Sequence, residues 1–122
     1  MGNIGNFSVV RDTWTHDDLR NGIDVDVPNH IDLDKRSVLS FMLNVTVEGS
    51  VAFSLRINGT KVWNATFLNT KRWGHFQEVV AKGVVREGTN TVSFEYDSSS
   101  GGSFDYSSVE FSDIVIWWRG DI

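Results

Sequence analysis

The chain has 122 residues, of which 40% are hydrophobic and 22% charged, and this is the composition of a folded globular protein. Its formal net charge of −5 argues against nucleic acid as a partner, because phosphate backbones are bound by clustered Lys and Arg side chains. No apolar run approaches the ~20 residues that a membrane-spanning helix needs, and no signal peptide is visible. The absence of cysteine excludes disulfides, thiol catalysis and thiolate metal sites. The length predicts one domain over residues 1–122.

The first part of the chain predicts an edge strand, a strand with an acidic outer face and one long central strand. A short apolar run at Phe7–Arg11 is typical of an edge strand, and Asp12–Asn21 is polar and turn-like. Gly22–Val27 alternates apolar residues with aspartates, which predicts a strand with an acidic outer face. The longest alternation runs from Leu39 to Val47 and predicts a central strand with one buried face.

The stretch from Val51 to Thr66 predicts a β-hairpin, around which the rest of the sheet would form. Apolar residues alternate from Val51 to Ile57, and Asn58-Gly59 tolerates the positive φ angles of a two-residue turn. A return strand over Lys61–Thr66 follows. Because a tight turn joins Leu39–Val47 to the first hairpin strand, we expect those two strands to pair antiparallel.

The last part predicts three more strands. Trp73–Val80 and Thr91–Tyr96 are strand-like, and Asp97–Ser103 is typical of an exposed flexible loop. Val109–Arg119 predicts the final strand, but its apolar residues change parity midway. A β-bulge near Ser112-Asp113 would restore their facing. About eight short strands without helical periodicity predict an all-β sandwich or barrel, and the variable strand lengths favour the sandwich.

Two motifs and the order of strands resemble the galactose-binding-like jelly rolls, a group that includes many carbohydrate-binding modules. An apolar strand ends in Ile57-Asn58-Gly59, and Arg86–Glu95 contains a basic-x-Gly-x-Asn turn before a strand. The last strand contains Asp113–Ile116, which is similar to the D-x-I/V-x-I/V ending of such modules, with Trp117 at its final position. The resemblance implies a single antiparallel β-sandwich of jelly-roll type and a carbohydrate ligand. It maps no sugar-binding tryptophan pair onto this chain.

A sugar site needs an aromatic face for the apolar side of the pyranose and polar groups for its hydroxyls. Trp117 and Trp118 are adjacent in a strand, so one of them points outward unless the other sheet covers it. For any single tryptophan the alternative is a place in the core or at a sheet edge. The candidate ligand-binding residues are Trp14, Arg56, Trp63, Trp73 and His75.

Acidic residues near the C-terminal end leave a structural calcium open. Calcium takes six to eight oxygen ligands from carboxylates and loop carbonyls, and Asp97, Asp105 and Asp113 are close in sequence. No D-x-D-x-D-G loop is present, so a solvated acidic surface is the alternative.

The sequence favours binding over catalysis. The three histidines are scattered without metal-site spacing, and no nucleophile elbow of the G-x-S-x-G kind exists. The first hypothesis is a non-catalytic carbohydrate-binding module. The alternative is a structural or assembly module that binds a protein partner, or a second copy as a homo-oligomer, through its sheet edges or faces. Both hypotheses favour an extracellular, cell-surface or virion-surface location.

Overall fold

A computed structural model describes residues 3–28, 31–97, 101–102 and 104–121. Eight strands dominate this part of the chain: β1 (Asn3–Thr15), β2 (Ile23–Val27), β3 (Ser37–Thr46), β4 (Ser50–Ile57), β5 (Thr60–Leu68), β6 (Lys71–Val80), β7 (Gly88–Asp97) and β8 (Val109–Asp121). Two short 3-10 helices lie at His16–Arg20 and Tyr106–Ser108. Within these residues, neither helix is long and apolar enough to cross a bilayer. The predicted all-β fold of about eight strands is confirmed.

The strands form two antiparallel sheets of four. Sheet A has the order β1-β8-β3-β6, and sheet B has the order β2-β7-β4-β5. Among the eight described strands, only β4 and β5 follow one another within a sheet, and each of the other connections carries the chain to the opposite sheet. This is the strand order of a jelly roll, in which consecutive strands alternate between two packed sheets. The jelly-roll sandwich is therefore confirmed.

The predicted pairing of the central strand with the first hairpin strand is wrong. β3 pairs with β6 and β8, whereas β4 pairs with β5 and β7. The turn between β3 and β4 is a crossover between sheets, and Gly49 lies in this turn with φ +72°. It lies beside the β5–β6 crossover, where Val47 exchanges backbone hydrogen bonds with Thr70. Alternation reveals which side of a strand is buried, but it does not identify the strand's partner.

The predicted hairpin turn and the predicted β-bulge are both confirmed. Asn58 and Gly59 have φ +52° and +83°, which are the values of a type I′ hairpin turn between β4 and β5. In β8, Asp113 has φ +49°, and the register with both neighbouring strands shifts at this point. The bulge lets Phe111 and Ile114 both face the interior, where both are fully buried.

Phe111 lies at the centre of the core between the two sheets. Its ring contacts aromatic rings from both sheets at centroid distances of 5.4 to 6.4 Å. Tilted and edge-to-face aromatic contacts of this kind add to the free energy gained from burial. The partners are Trp14 and Phe41 of sheet A and Phe53, Trp63 and Phe94 of sheet B.

Two asparagines join the hairpin turn to the loop before β7. The Asn58 side-chain amide donates to the Asn90 side-chain oxygen at 2.8 Å and to the Val84 carbonyl at 2.8 Å. Asn90, which is fully buried, accepts from the Arg86 N–H and donates to the Arg86 carbonyl, both at 2.8 Å. The two motifs that carry the family resemblance are therefore hydrogen-bonded to each other.

We expect Asn90→Ala to lower the free energy of unfolding by about 3 kcal/mol, because it removes the side-chain partner of the Arg86 backbone N–H and carbonyl and one of the two partners of the Asn58 amide. Urea denaturation followed by tryptophan fluorescence measures this change. Asn64→Ala is the control, since Asn64 is exposed on the same sheet and should change stability by less than about 0.5 kcal/mol. Equal stability of the two variants would contradict the role of the asparagine pair.

Asp105 caps the second 3-10 helix. Its carboxylate accepts from the Ser107 backbone N–H at 2.9 Å. This hydrogen bond is the largest cause that lowers the pKa of Asp105 below the ordinary 3.8, and a hydrogen bond from the Ser107 hydroxyl is the second. Desolvation raises the pKa by a smaller amount. The charge of His16 lowers the pKa further.

We expect NMR titration of the Asp105 carboxyl to give a pKa below 3.8. Because the pKa is lower in the folded state, the carboxylate stabilises the fold above the unfolded pKa, and this contribution is lost as the pH falls through the folded pKa. The stability difference between wild type and Asp105→Asn should shrink over that acidic range. In Ser107→Ala the pKa should rise but stay below 3.8, since the backbone donor remains. A pKa at or above 3.8 in the wild type would refute the cap.

Candidate functional site

The outward side of sheet A, which we call face A, carries both exposed tryptophans of the described residues. Strand register places Phe7, Trp117, Val38 and Val79 side by side across all four strands, and we call this set the apolar row. Phe7 and Val79 are about half exposed, and Trp117 is 46% exposed. The row is thus an open, flat apolar surface that spans the width of the sheet.

Trp117 is held in a fixed orientation within the apolar row. Its indole N–H donates to the Ser40 hydroxyl at 2.9 Å, and Ser40 is itself buried. The Phe7 ring packs against the indole with centroids 5.2 Å apart and planes inclined by 47°. A ring oriented in advance loses little conformational entropy when a ligand stacks on it.

Trp73 and His75 lie at the other end of face A. Both side chains project outward from β6, opposite Asn44 and Met42 of β3, and Trp73 is 57% exposed. The structure therefore brings these two predicted site residues together on one surface. The Trp73 row and the apolar row meet β3 at Asn44 and Val38, which are six positions apart, or roughly 20 Å along the strand.

Arg56 lies on the opposite side of the molecule, on the outer face of sheet B. Its guanidinium donates to the Gly59 carbonyl at 2.9 Å and pairs with the Glu95 carboxylate at 3.4 Å. A neighbouring depression of about 470 Å³ has a largely polar lining. The polar residues that line it are Ser54, Lys61, Asn64, Thr66, Glu95 and Asp97. Arg56 is thus separated from Trp73 and His75 by the thickness of the sandwich.

Trp14 and Trp63 are core residues, which corrects their prediction as ligand-binding residues. Trp14 is 0% exposed and donates its indole N–H to the Asp18 carbonyl at 2.8 Å. Trp63 is 7% exposed and packs edge-on against Phe41 at 5.0 Å. A ring whose faces are covered by other core side chains cannot stack on a ligand.

The structure does not bring the three predicted metal-binding aspartates together. Asp97 ends β7 in sheet B, Asp105 caps the second 3-10 helix, and Asp113 lies in the bulge of β8 in sheet A. Across the described residues, no group of three or more His, Asp or Glu side chains is placed to hold a metal ion. The low pKa of Asp105 follows from its cap and not from a metal-binding cluster.

Phe7 and the other members of the apolar row were not among the predicted site residues. A signal for Trp117 was present, since the parity set by Ile114, Ile116 and Trp118 places Trp117 on the outer face. No comparable signal existed for Phe7 and Val79, because they come from strands distant in the sequence and meet Trp117 and Val38 only through strand pairing.

Comparison with known proteins finds likeness in structure only. No protein-family model and no curated protein matches the sequence. The fold is similar to part of dimeric latent PorU from Porphyromonas gingivalis, at 11% identity and a TM-score of 0.57 over 98% of this chain. It is also similar to part of a β-glucosidase from Paenibacillus barengoltzii, at 14% identity and a TM-score of 0.51 over 93% of this chain.

The chain spans only 13% and 10% of the length of these two proteins. The CBM22-1 xylan-binding domain of Paenibacillus barcinonensis Xyn10C has 8% identity and a TM-score of 0.47, with 99% of this chain and 88% of that domain covered. At such identities the likeness to PorU and the β-glucosidase concerns the fold alone, and the ligand has to be inferred from the surface of this chain.

Proposed function

We propose that the chain is a non-catalytic carbohydrate-binding module that holds a polysaccharide on face A. The observation that carries this proposal is the exposed Trp117, which Ser40 and Phe7 hold in one orientation. An indole face complements the apolar C–H side of a pyranose ring. Its fixed orientation favours binding because little side-chain freedom is lost.

Polar groups of face A support the same proposal. Gln77 lies opposite Ser40, Asn44 lies opposite Trp73, and His75 lies in the row next to Trp73. Amide and imidazole groups can donate and accept hydrogen bonds, which the hydroxyls of a sugar require. Since Trp73 lies roughly 20 Å from the apolar row along the strand direction, the surface suits an extended chain better than a single sugar.

The open shape of face A supports binding without catalysis. Enzyme sites generally enclose their substrates in clefts that limit access of water. Trp117 and Trp73 instead lie on a sheet surface with about half of each side chain in solvent. A module of this kind would act where polysaccharides are found, outside the cell or on a cell surface.

We expect Trp117→Ala to weaken polysaccharide binding by about tenfold or more, because a stacked aromatic ring contributes about 1 kcal/mol or more beyond its buried area. Affinity electrophoresis against a panel of neutral and acidic polysaccharides identifies the ligand, and titration calorimetry measures the change. Phe7→Ala should give a smaller loss of affinity, since it removes only the ring that packs against the Trp117 indole.

Leu68→Ala is the matched control for these variants. Leu68 is an exposed apolar residue at the end of β5 in sheet B, away from face A, and its loss should leave affinity unchanged. If the wild type binds a polysaccharide and Trp117→Ala binds it equally well, the ligand does not use face A and the proposed site is wrong.

A second candidate function is assembly through the same face. Val79 of the apolar row is exposed, and in the neighbouring row Val9 is exposed beside the partly exposed Val115. Aliphatic side chains do not stack on sugars. Such a band is better suited to a protein surface or a second copy of the chain. If assembly is the function, light scattering should show a dimer that Val79→Asp converts to a monomer, and a monomeric wild type would refute it.

A further inference from the structure

One end of face A is positively charged although the chain has a net charge of −5. A depression of about 460 Å³, which we call the basic depression, lies where β3 begins and β6 ends. Val38 and one carboxylate, Asp34, contribute to its lining. The remaining lining residues are all cationic: Lys35, Arg36, Lys82 and Arg119.

These four cations have no partners among the ion pairs of the described residues. Those ion pairs join Arg11 to Asp18, Arg20 to Asp17 and Arg56 to Glu95. Asp34 leaves the depression with an excess of three positive charges. Cations collected in one concave surface raise the local electrostatic potential and attract an anion.

The basic depression is continuous with the apolar row. Val38 belongs to both, since it lines the depression and lies opposite Trp117 in the strand register. Arg119 follows Trp117 by two residues on the same side of β8, which places their Cα atoms roughly 7 Å apart. A ring stacked on Trp117 and an anionic group in the depression would therefore be neighbours along one ligand.

We propose that the ligand of face A is an acidic polysaccharide whose carboxylate or sulfate groups bind in the basic depression. This inference rests on the proposed carbohydrate-binding function and specifies its ligand class. Two arginines suit such groups, because a guanidinium can bind the oxygens of a carboxylate or a sulfate in a bidentate manner. The acidic balance of the rest of the chain disfavours nucleic acid, whose phosphates would extend beyond four cations.

Two matched pairs of polymers test the inference. Polygalacturonate and its fully methyl-esterified form share one backbone and differ in whether it carries free carboxylates. Dextran sulfate and dextran likewise share one backbone and differ in whether it carries sulfate groups. We expect at least one charged member to bind about tenfold more tightly than its neutral partner, consistent with charge-assisted hydrogen bonds. Its binding should weaken between 50 and 200 mM salt, and the pair that responds identifies the anionic group.

The double variant Arg36→Gln/Lys82→Gln should lose this preference by about tenfold or more, since it removes two charge-assisted contacts. The control Lys61→Gln/Arg86→Gln removes the same number of charges from exposed side chains elsewhere on the chain and should change affinity less than about twofold. Calorimetry on both variants and the wild type measures the effect.

The outcomes separate this inference from the proposed function. Equal, salt-independent affinity for the charged and neutral members would overturn the basic depression while leaving a carbohydrate-binding module. An equal loss in both double variants, or equally tight binding of duplex DNA, would show general attraction of polyanions and also overturn it. Failure to bind any polymer of the wider polysaccharide panel would overturn the proposed function itself.

Discussion

The packing of Phe111 between the two sheets determines how β8 is oriented and which of its side chains face solvent. Its ring contacts aromatic side chains from both layers, so β8 has to present Phe111 to the core. Ile114 and Trp118 also have to face inward, and only the bulge at Asp113 allows both requirements to be met. The residues that alternate with them beyond the bulge then face solvent. The position of Trp117 on face A is therefore a consequence of how the core is filled.

Local sequence patterns predicted the strands, the hairpin turn and the bulge, because each is encoded within a few neighbouring residues. Strand partners were not predictable in this way. The turn after β3 is as short as a hairpin turn, yet the backbone at Gly49 carries the chain to the other sheet. Trp14 was predicted to lie in a polar loop, but β1 extends through Thr15 and turns this ring into the core. Because its neighbours in the sequence are polar, the sequence pattern did not indicate that Trp14 is buried.

The candidate site was only partly predictable from the sequence. Trp73 and His75 are two residues apart, so strand alternation places them on one face without knowledge of the fold. The cations of the basic depression come from the segment before β3, the loop after β6 and the end of β8. A net charge of −5 gives no hint of such a cluster, since it averages over the whole surface. Only the pairing of β3 with both β6 and β8 brings these segments together.

The crossovers between sheets also bear on how the chain reaches its native state. β1 pairs with β8, so the two ends of the chain meet in one sheet, and β2 pairs with β7. Contacts between residues so distant in sequence require large loops to close before any free energy of packing is gained, which slows folding. The β4–β5 hairpin needs no such loop closure, so we expect it to form early in folding. Until β8 pairs between β1 and β3, one edge of β3 has no strand partner, so its unpaired backbone groups can associate with other chains.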